Sequence, residues 1–145
     1  EDTLSLHDAL PIYDNLLLKQ FKAVEQMKKE DKKLLEAIVA GMQERKAKRV
    51  VTVDMTKLDA PCQYFVICEG DSNVHVSSIA MEVKDYVRKN ASEKPFATDG
   101  FENCEWIALD YGSVIVHVFR RETRAFYDIE HLWEDADIKE YEDVV

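Results

Sequence analysis

Cysteine is scarce in this chain: Cys62, Cys68 and Cys104 are odd in number, widely spaced and contain no C-x-x-C pair. Neither a disulfide framework nor a zinc site fits that pattern, and a reducing compartment, here the cytoplasm, is expected. Long hydrophobic runs are absent too, the longest being a few residues, which is far short of a membrane span. Positive charge is in deficit, with 19 Lys and Arg against 29 Asp and Glu and a formal charge of −10. Nucleic-acid affinity rests largely on Lys and Arg displacing counterions, so little direct nucleic-acid contact is expected, whereas a basic protein partner suits the charge. The N-terminus has no basic region, and Leu4 to Ile12 is interrupted by His7, Asp8 and Pro11, so no export signal is expected. There are no internal repeats and no low-complexity linker.

Catalytic constellations are equally thin. The four histidines show no H-x-x-x-H or H-E-x-x-H spacing that would place two of them on one helix face. A two-metal transfer site needs paired carboxylates on a strand, and only Glu69 and Asp71 approach that pattern. Asp128 and Glu130 fall in an expected helix, where residues two apart diverge, and no nucleophile elbow is visible. The turn Gly70-Asp71-Ser72-Asn73 feeds a helix N-terminus and lacks the phosphate-loop patterns, so a capped turn is favoured over a phosphate site. No catalytic residue, cofactor or metal is assigned. The alternative retained is a nucleotidyltransferase-like, nucleotide-binding enzyme centred on Gly70 to Ser72.

What is present fits one domain. At 145 residues, folding buries roughly 70% of the unfolded surface, and a 46% hydrophobic fraction supports a packed core. Residues 1–14 are expected to be a disordered or non-native leader, because Pro11 argues against a helix running through. Leu17, Phe21 and Val24 predict a helical extension over 15–30. Asp31 is expected to cap a second helix, whose stripe is Leu34, Leu35, Ile38, Val39 and Met42. Its basic end, Arg45 to Arg49, suits the helix dipole, and an RNA patch is the weaker reading because no aromatic is interleaved.

Buried strands are expected at Val50 to Asp54 and Tyr64 to Cys68, then a helix with core face Val76, Ile79, Ala80, Val83 and Val87. A short extended piece follows near Phe96 to Thr98. Trp106 to Leu109 and Val114 to Phe119 predict a hairpin turning at Gly112, its second strand covered on both faces. A final helix is expected over Arg120 to Trp133, with Phe126, Ile129 and Trp133 inward. Beyond it, six acids against Lys139 alone predict a solvated or frayed acidic tail, 138–145. The fold class is therefore α/β, a single domain with a mixed four- or five-stranded sheet flanked by helices.

The ordered motifs resemble the ribosomal silencing factor family, also called the RsfS or Iojap family. They are Asp54, Tyr64-Phe65-Val66-Ile67, Gly70-x-Ser72-Asn73-x-His75-Val76, Asp99-Gly100, Trp106 and Leu109-Asp110-Tyr111-Gly112. The pattern continues through Val116-His117-Val118-Phe119, Arg124-x-Phe126-Tyr127, Glu130 and Leu132-Trp133, placing the family domain at 31–137. Gln63, Glu69, Asp71 and Ser113 depart from the usual pattern, which also weakens a metal role for Glu69 and Asp71. The resemblance implies a degenerate nucleotidyltransferase-like fold without its catalytic carboxylates. It further implies docking on the large ribosomal subunit through the ribosomal protein numbered fourteen, a steric block to subunit joining, and a homodimer off the ribosome.

Partner-binding residues are expected at Trp106, Asp110, Tyr111, Gly112, His117, Phe119, Arg124, Tyr127 and Glu130. Tyr and Trp with a polar edge make interface anchors, and oriented charges frame them. Within that set Asp110, Tyr111, Arg124 and Tyr127 are the stronger contact candidates, with Trp106 and His117 undecided between core and contact. Val114, Val116, Val118, Phe126 and Ile129 are expected in the core.

Overall fold

In the computed structural model the backbone is described from Asp2 and the side chains from Asn15. The side chains of the expected leader over 1–14 lie outside the described residues, but its backbone is helical from Asp2, so Pro11 does not stop the helix as expected. The chain divides into two units, Glu1–Lys32 and Lys33–Val145. Helix α1 spans Asp2–Glu44 and runs through Asp31, so the two helices expected at 15–30 and from Asp31 are one. Met27 to Leu35 contains neither Gly nor Pro, and an interior Asp costs a helix only a fraction of a kcal/mol, too little to break it.

The second unit is a single α/β domain built on a mixed sheet. Its strands are β1 (Lys48–Asp54), β2 (Tyr64–Gly70), β3 (Ala97–Asp99), β4 (Trp106–Asp110), β5 (Val114–Arg120) and β6 (Asp137–Glu140), in the order β3-β4-β5-β2-β1-β6. Only β2 and β5 pair in parallel, with Phe65 opposite Ile115 and Ile67 opposite His117. Helix α2 (Asn73–Ala91) lies in the crossover between them, and its buried residues are Val76, Ile79, Ala80, Val83 and Val87, the face that its 3.6-residue period predicts.

The strand beyond the four or five expected is β6. Its four side chains are all exposed, so no apolar alternation marks it, yet its backbone pairs antiparallel with β1 from Asp54↔Asp137 to Val51↔Glu140. The following residues are tied down as well: Tyr141 N–H donates to Val50 O at 3.0 Å, and Arg49 N–H donates to Asp143 Oδ1 at 2.8 Å. The segment expected to fray is thus a sheet edge, because backbone pairing does not depend on side-chain polarity.

Period-two alternation divides the apolar residues between two faces. Leu34, Ile38 and Met42 of α1 and the inner face of α2 pack on Val66, Ile107, Leu109, Val114, Val116 and Val118. The opposite face carries Val51, Val53, Phe65, Ile67 and Phe119, with Trp106, Ile115, Ile129 and Trp133 half-buried against them. It is overlain by α3 (Arg121–Tyr127) and a 3-10 turn at Ile129–His131. The expected helix Arg120 to Trp133 is therefore interrupted at Asp128, which takes a left-handed conformation (φ 46°) that a short polar residue tolerates. This break shifts the helical phase. Phe126, expected in the core, is 81% exposed, while Ile129 and Trp133 still face the sheet.

The hairpin turn forms as expected, with Gly112 at φ +88° and its N–H donating to Asp110 Oδ1 at 2.8 Å. Gly100 is more constrained: at φ +92° an added Cβ would lie 1.9 Å from Trp106 O. Gly100→Ala should cost more than about 2 kcal/mol, because both the conformation and the space are lost. Urea denaturation would read this as a lowered midpoint at unchanged slope.

Candidate partner-binding face

Trp106, His117, Phe119 and Phe65 come together on the face opposite α2 because the register sets Trp106 against Phe119 and Ala108 against His117. Trp106 Nε1–H donates to His117 Nδ1 at 3.0 Å. The imidazole is thereby assigned as neutral with its proton on Nε2, which is buried without a hydrogen-bond partner. Phe65 meets the ring edge-on at 4.6 Å, and burial pushes the His117 pKa down to about 4. Trp106 thus satisfies one nitrogen of His117 only.

Aromatic contacts then lead outward. Trp106 stacks on the fully buried Phe119 at 4.8 Å and tilts against Tyr127 at 4.9 Å, and Tyr127 meets Phe126 edge-on at 5.0 Å. Tyr127 is 52% exposed, and Leu132, on the following turn, is exposed as well. The outer members of this series form an apolar surface anchored to the core through Trp106.

Arg124, on the inner side of α3, is 2% exposed, and buried charge of this kind has to be matched in place. Its Nε–H and Nη2–H donate to Glu130 Oε1 and Oε2 at 2.8 and 3.0 Å, a bidentate pair. Its Nη1 donates to Arg49 O at 2.7 Å and to Glu69 Oε1 at 3.2 Å, the same oxygen that accepts from Arg49 Nη1 at 3.2 Å. Two guanidinium groups and two carboxylates therefore balance. Burial opposes the charge on Arg124, but its bonds to Glu130 and the attraction of Glu69 outweigh this and hold its pKa above the ordinary range. The hydrogen bonds from Arg124 likewise hold Glu130 below the ordinary glutamate range against the effect of burial.

The structure therefore gathers Trp106, His117, Phe119, Arg124, Tyr127 and Glu130 on one face, but at different depths. His117, Phe119, Arg124 and Glu130 are buried and shape the surface from within; Trp106 is half-buried, and Tyr127 is the outermost of the six. Asp110, Tyr111 and Gly112 belong to the hairpin turn. Tyr111, a leading contact candidate, is instead 3% exposed in the core on the α2 side, and burial, then Glu93, pushes its pKa up to about 12. The side chain turns inward because the turn bonds through backbone, Tyr111 N–H donating to Val114 O at 2.9 Å.

Sequence reasoning missed Arg49, the partner role of Glu69, and the exposure of Phe126 and Leu132. The available signal was Glu69 itself, an acid closing an otherwise apolar strand.

The Gly70 to Ser72 turn engages its own backbone. Ser72 Oγ accepts from His75 N–H at 3.1 Å, and Asp71 N–H donates to His75 Nδ1 at 2.9 Å. In the basic segment, Arg45, Lys48 and Arg49 face Glu82, Asp71 and Glu69 at 3.1, 3.3 and 3.2 Å. Among the described residues, no group of three or more His, Cys, Asp or Glu is placed to hold a metal ion, and no helix is long and apolar enough to cross a membrane.

Residues 28–145 match the sequence family described as Ribosomal silencing factor during starvation. The chain is 35% identical over 115 residues to Ribosomal silencing factor RsfS of Halalkalibacterium halodurans, covering 79% of this chain and 97% of that protein. It is 34% identical over 105 residues to the Bacillus subtilis protein of the same name, covering 72% and 88%. Mitochondrial assembly of ribosomal large subunit protein 1 of mouse is 26% identical over 68% of this chain and 44% of its own length. A crystal structure from Chromobacterium violaceum superposes with a TM-score of 0.68 at 28% identity, covering 79% of this chain and 92% of that one.

Two measurements probe this face. Arg124→Met leaves Glu130 buried without its cation and Glu69 with Arg49 alone, and should cost about 3–5 kcal/mol; adding Glu130→Gln should restore part of that loss in urea denaturation. His117, neutral in the folded chain, titrates near 6.5 when unfolded. Its contribution to stability is intact above that pH and is lost as pH falls toward about 4, roughly 3 kcal/mol in all. In thermal melts between pH 7 and 4, His117→Asn should remove the part of the decline that begins near pH 6.5.

Proposed function

The chain belongs to the ribosomal silencing factor family, and from that premise we propose that it is a ribosome-associated regulator that docks on the large ribosomal subunit. The docking partner in this reading is the ribosomal protein numbered fourteen, and bound protein blocks joining of the small subunit by bulk alone. Its place of action is the cytoplasm, and off the ribosome the same surface pairs two copies. The observation that carries the reading is the exposed aromatic pair Phe126 and Tyr127, fixed to the core through Trp106, with Leu132 exposed on the turn that follows. A preorganised aromatic patch loses little conformational freedom on binding, which is what a steric, non-catalytic role asks for.

Charge supports the choice of partner. Glu122, Asp128, Glu134 and Asp135, close in sequence to Phe126 and Leu132, are exposed, and a chain of −10 steers toward a basic protein surface. In this reading the buried His117, Phe119, Arg124 and Glu130 position the patch, while Trp106, Tyr127 and Phe126 touch the partner.

Replacing Phe126 and Leu132 together with Asp should weaken co-sedimentation with purified large subunits at least about tenfold, with circular dichroism unchanged because both side chains are exposed. The same variant should lose inhibition of subunit joining, read by light scattering. Docking retained in the folded double variant would move the interface elsewhere, and wild-type protein that ignores large subunits would end the reading.

A further inference from the structure

The cleft between the second half of α2 and the edge strand β3 takes no part in the surface described above. It encloses about 460 Å³, and its lining includes Lys84, Arg88 and Lys94 against a single acid, Asp85. On a chain of formal charge −10 this is a local excess of positive charge. Asp85 is engaged by Arg88 at 2.8 Å and by Lys89, outside the cleft, at 2.9 Å, so the acid does not neutralise Lys84 or Lys94.

The apolar part of the lining is open to solvent, with Phe96 82% exposed and Met81 53% exposed. Beside it, β3 ends the sheet: its inner edge pairs with β4, no described strand lies on its outer edge, and Ala97, Thr98 and Asp99 are all exposed. An unpaired edge offers main-chain donors and acceptors to an added strand.

We propose that this cleft docks an extended acidic peptide segment of a partner protein, one whose cleft-facing positions, every second residue, carry both carboxylates and apolar side chains. The segment adds to β3 as a further strand. Side chains of a strand alternate between faces, so every second residue points into the cleft, where apolar ones lie over Met81 and Phe96 and carboxylates reach Lys84, Arg88 and Lys94. RNA would use the cations and leave the strand edge unused. The site shares no residue with the Phe126 patch and does not rest on the ribosomal reading.

The experiment uses the full chain and a fluorescein-labelled octapeptide, Glu-Glu-Val-Val repeated twice so that each face of the strand carries both residues, followed by fluorescence anisotropy and by amide shifts in ¹⁵N spectra. Saturable binding is expected, weakening with salt, with the largest shifts between residues 81 and 99. Reversing Lys84, Arg88 and Lys94 to Glu should lower affinity more than about tenfold. Phe96→Ser should weaken binding while leaving the charges in place. All four positions are at least partly exposed, and circular dichroism verifies folding.

The proposal is overturned if the wild-type chain does not bind the peptide, or if a lysine-valine octapeptide binds equally well. It is overturned likewise if the shifts fall on α3, if an eight-nucleotide oligouridine binds the cleft more tightly, or if light scattering shows copies pairing through β3 in place of peptide binding.

Discussion

A guanidinium that is 2% exposed has little water to fall back on, and each of its nitrogens must find an acceptor in the protein. Arg124 does so by drawing four separate pieces of chain to one point: its own helix α3, Glu130 of the 3-10 turn, Glu69 at the end of β2, and the carbonyl of Arg49. Arg49 itself takes φ 50°, at an irregularity where the β1–β2 register shifts, and its N–H holds Asp143 near the C-terminus. The seating of α3 on the sheet, the bulge in β1 and the path of the last residues therefore answer to one buried charge.

The two faces of the sheet are built to different ends. Beneath α1 and α2 the buried residues are mostly aliphatic, and the Tyr111 hydroxyl lies among them without a hydrogen-bond partner, kept protonated by burial. On the opposite face, aromatic rings, a neutral histidine and a balanced ion cluster grade from dry interior to exposed surface. Polar groups at intermediate depth fix orientation more tightly than aliphatic packing does, because each must keep its partner. That graded face supports the Phe126 and Tyr127 surface, whereas the α2 side supplies bulk stability and, at its margin, the cationic cleft along β3.

Some of this was legible in the residues alone. The core face of α2 follows from the spacing of Val76, Ile79, Ala80, Val83 and Val87, and the alternation of Val114, Val116 and Val118 marks a strand covered on both sides. The Gly112 turn was also readable, since few residues other than glycine adopt φ +88°. The candidate site was legible as a segment but not as a surface: Tyr111 and Arg124 carry polar atoms that suggest exposure, and both are buried. Phe126 carries a ring that suggests burial, yet it lies two residues, about 200°, around α3 from the buried Arg124 and so faces outward. The edge strand β6 left no trace in side-chain pattern because backbone hydrogen bonds alone place it.

The sequence by itself determined the α/β class, the sheet-facing stripes and membership of a recognisable family, because period and turn chemistry are local properties that survive any later packing. Only the tertiary structure decided depth. Which charge is buried depends on whether Glu69, Glu130 and the Arg49 carbonyl, far apart along the chain, meet around Arg124. That meeting is a matter of three-dimensional neighbours, and it separates the residues that hold the Trp106 to Trp133 region together from those that it presents.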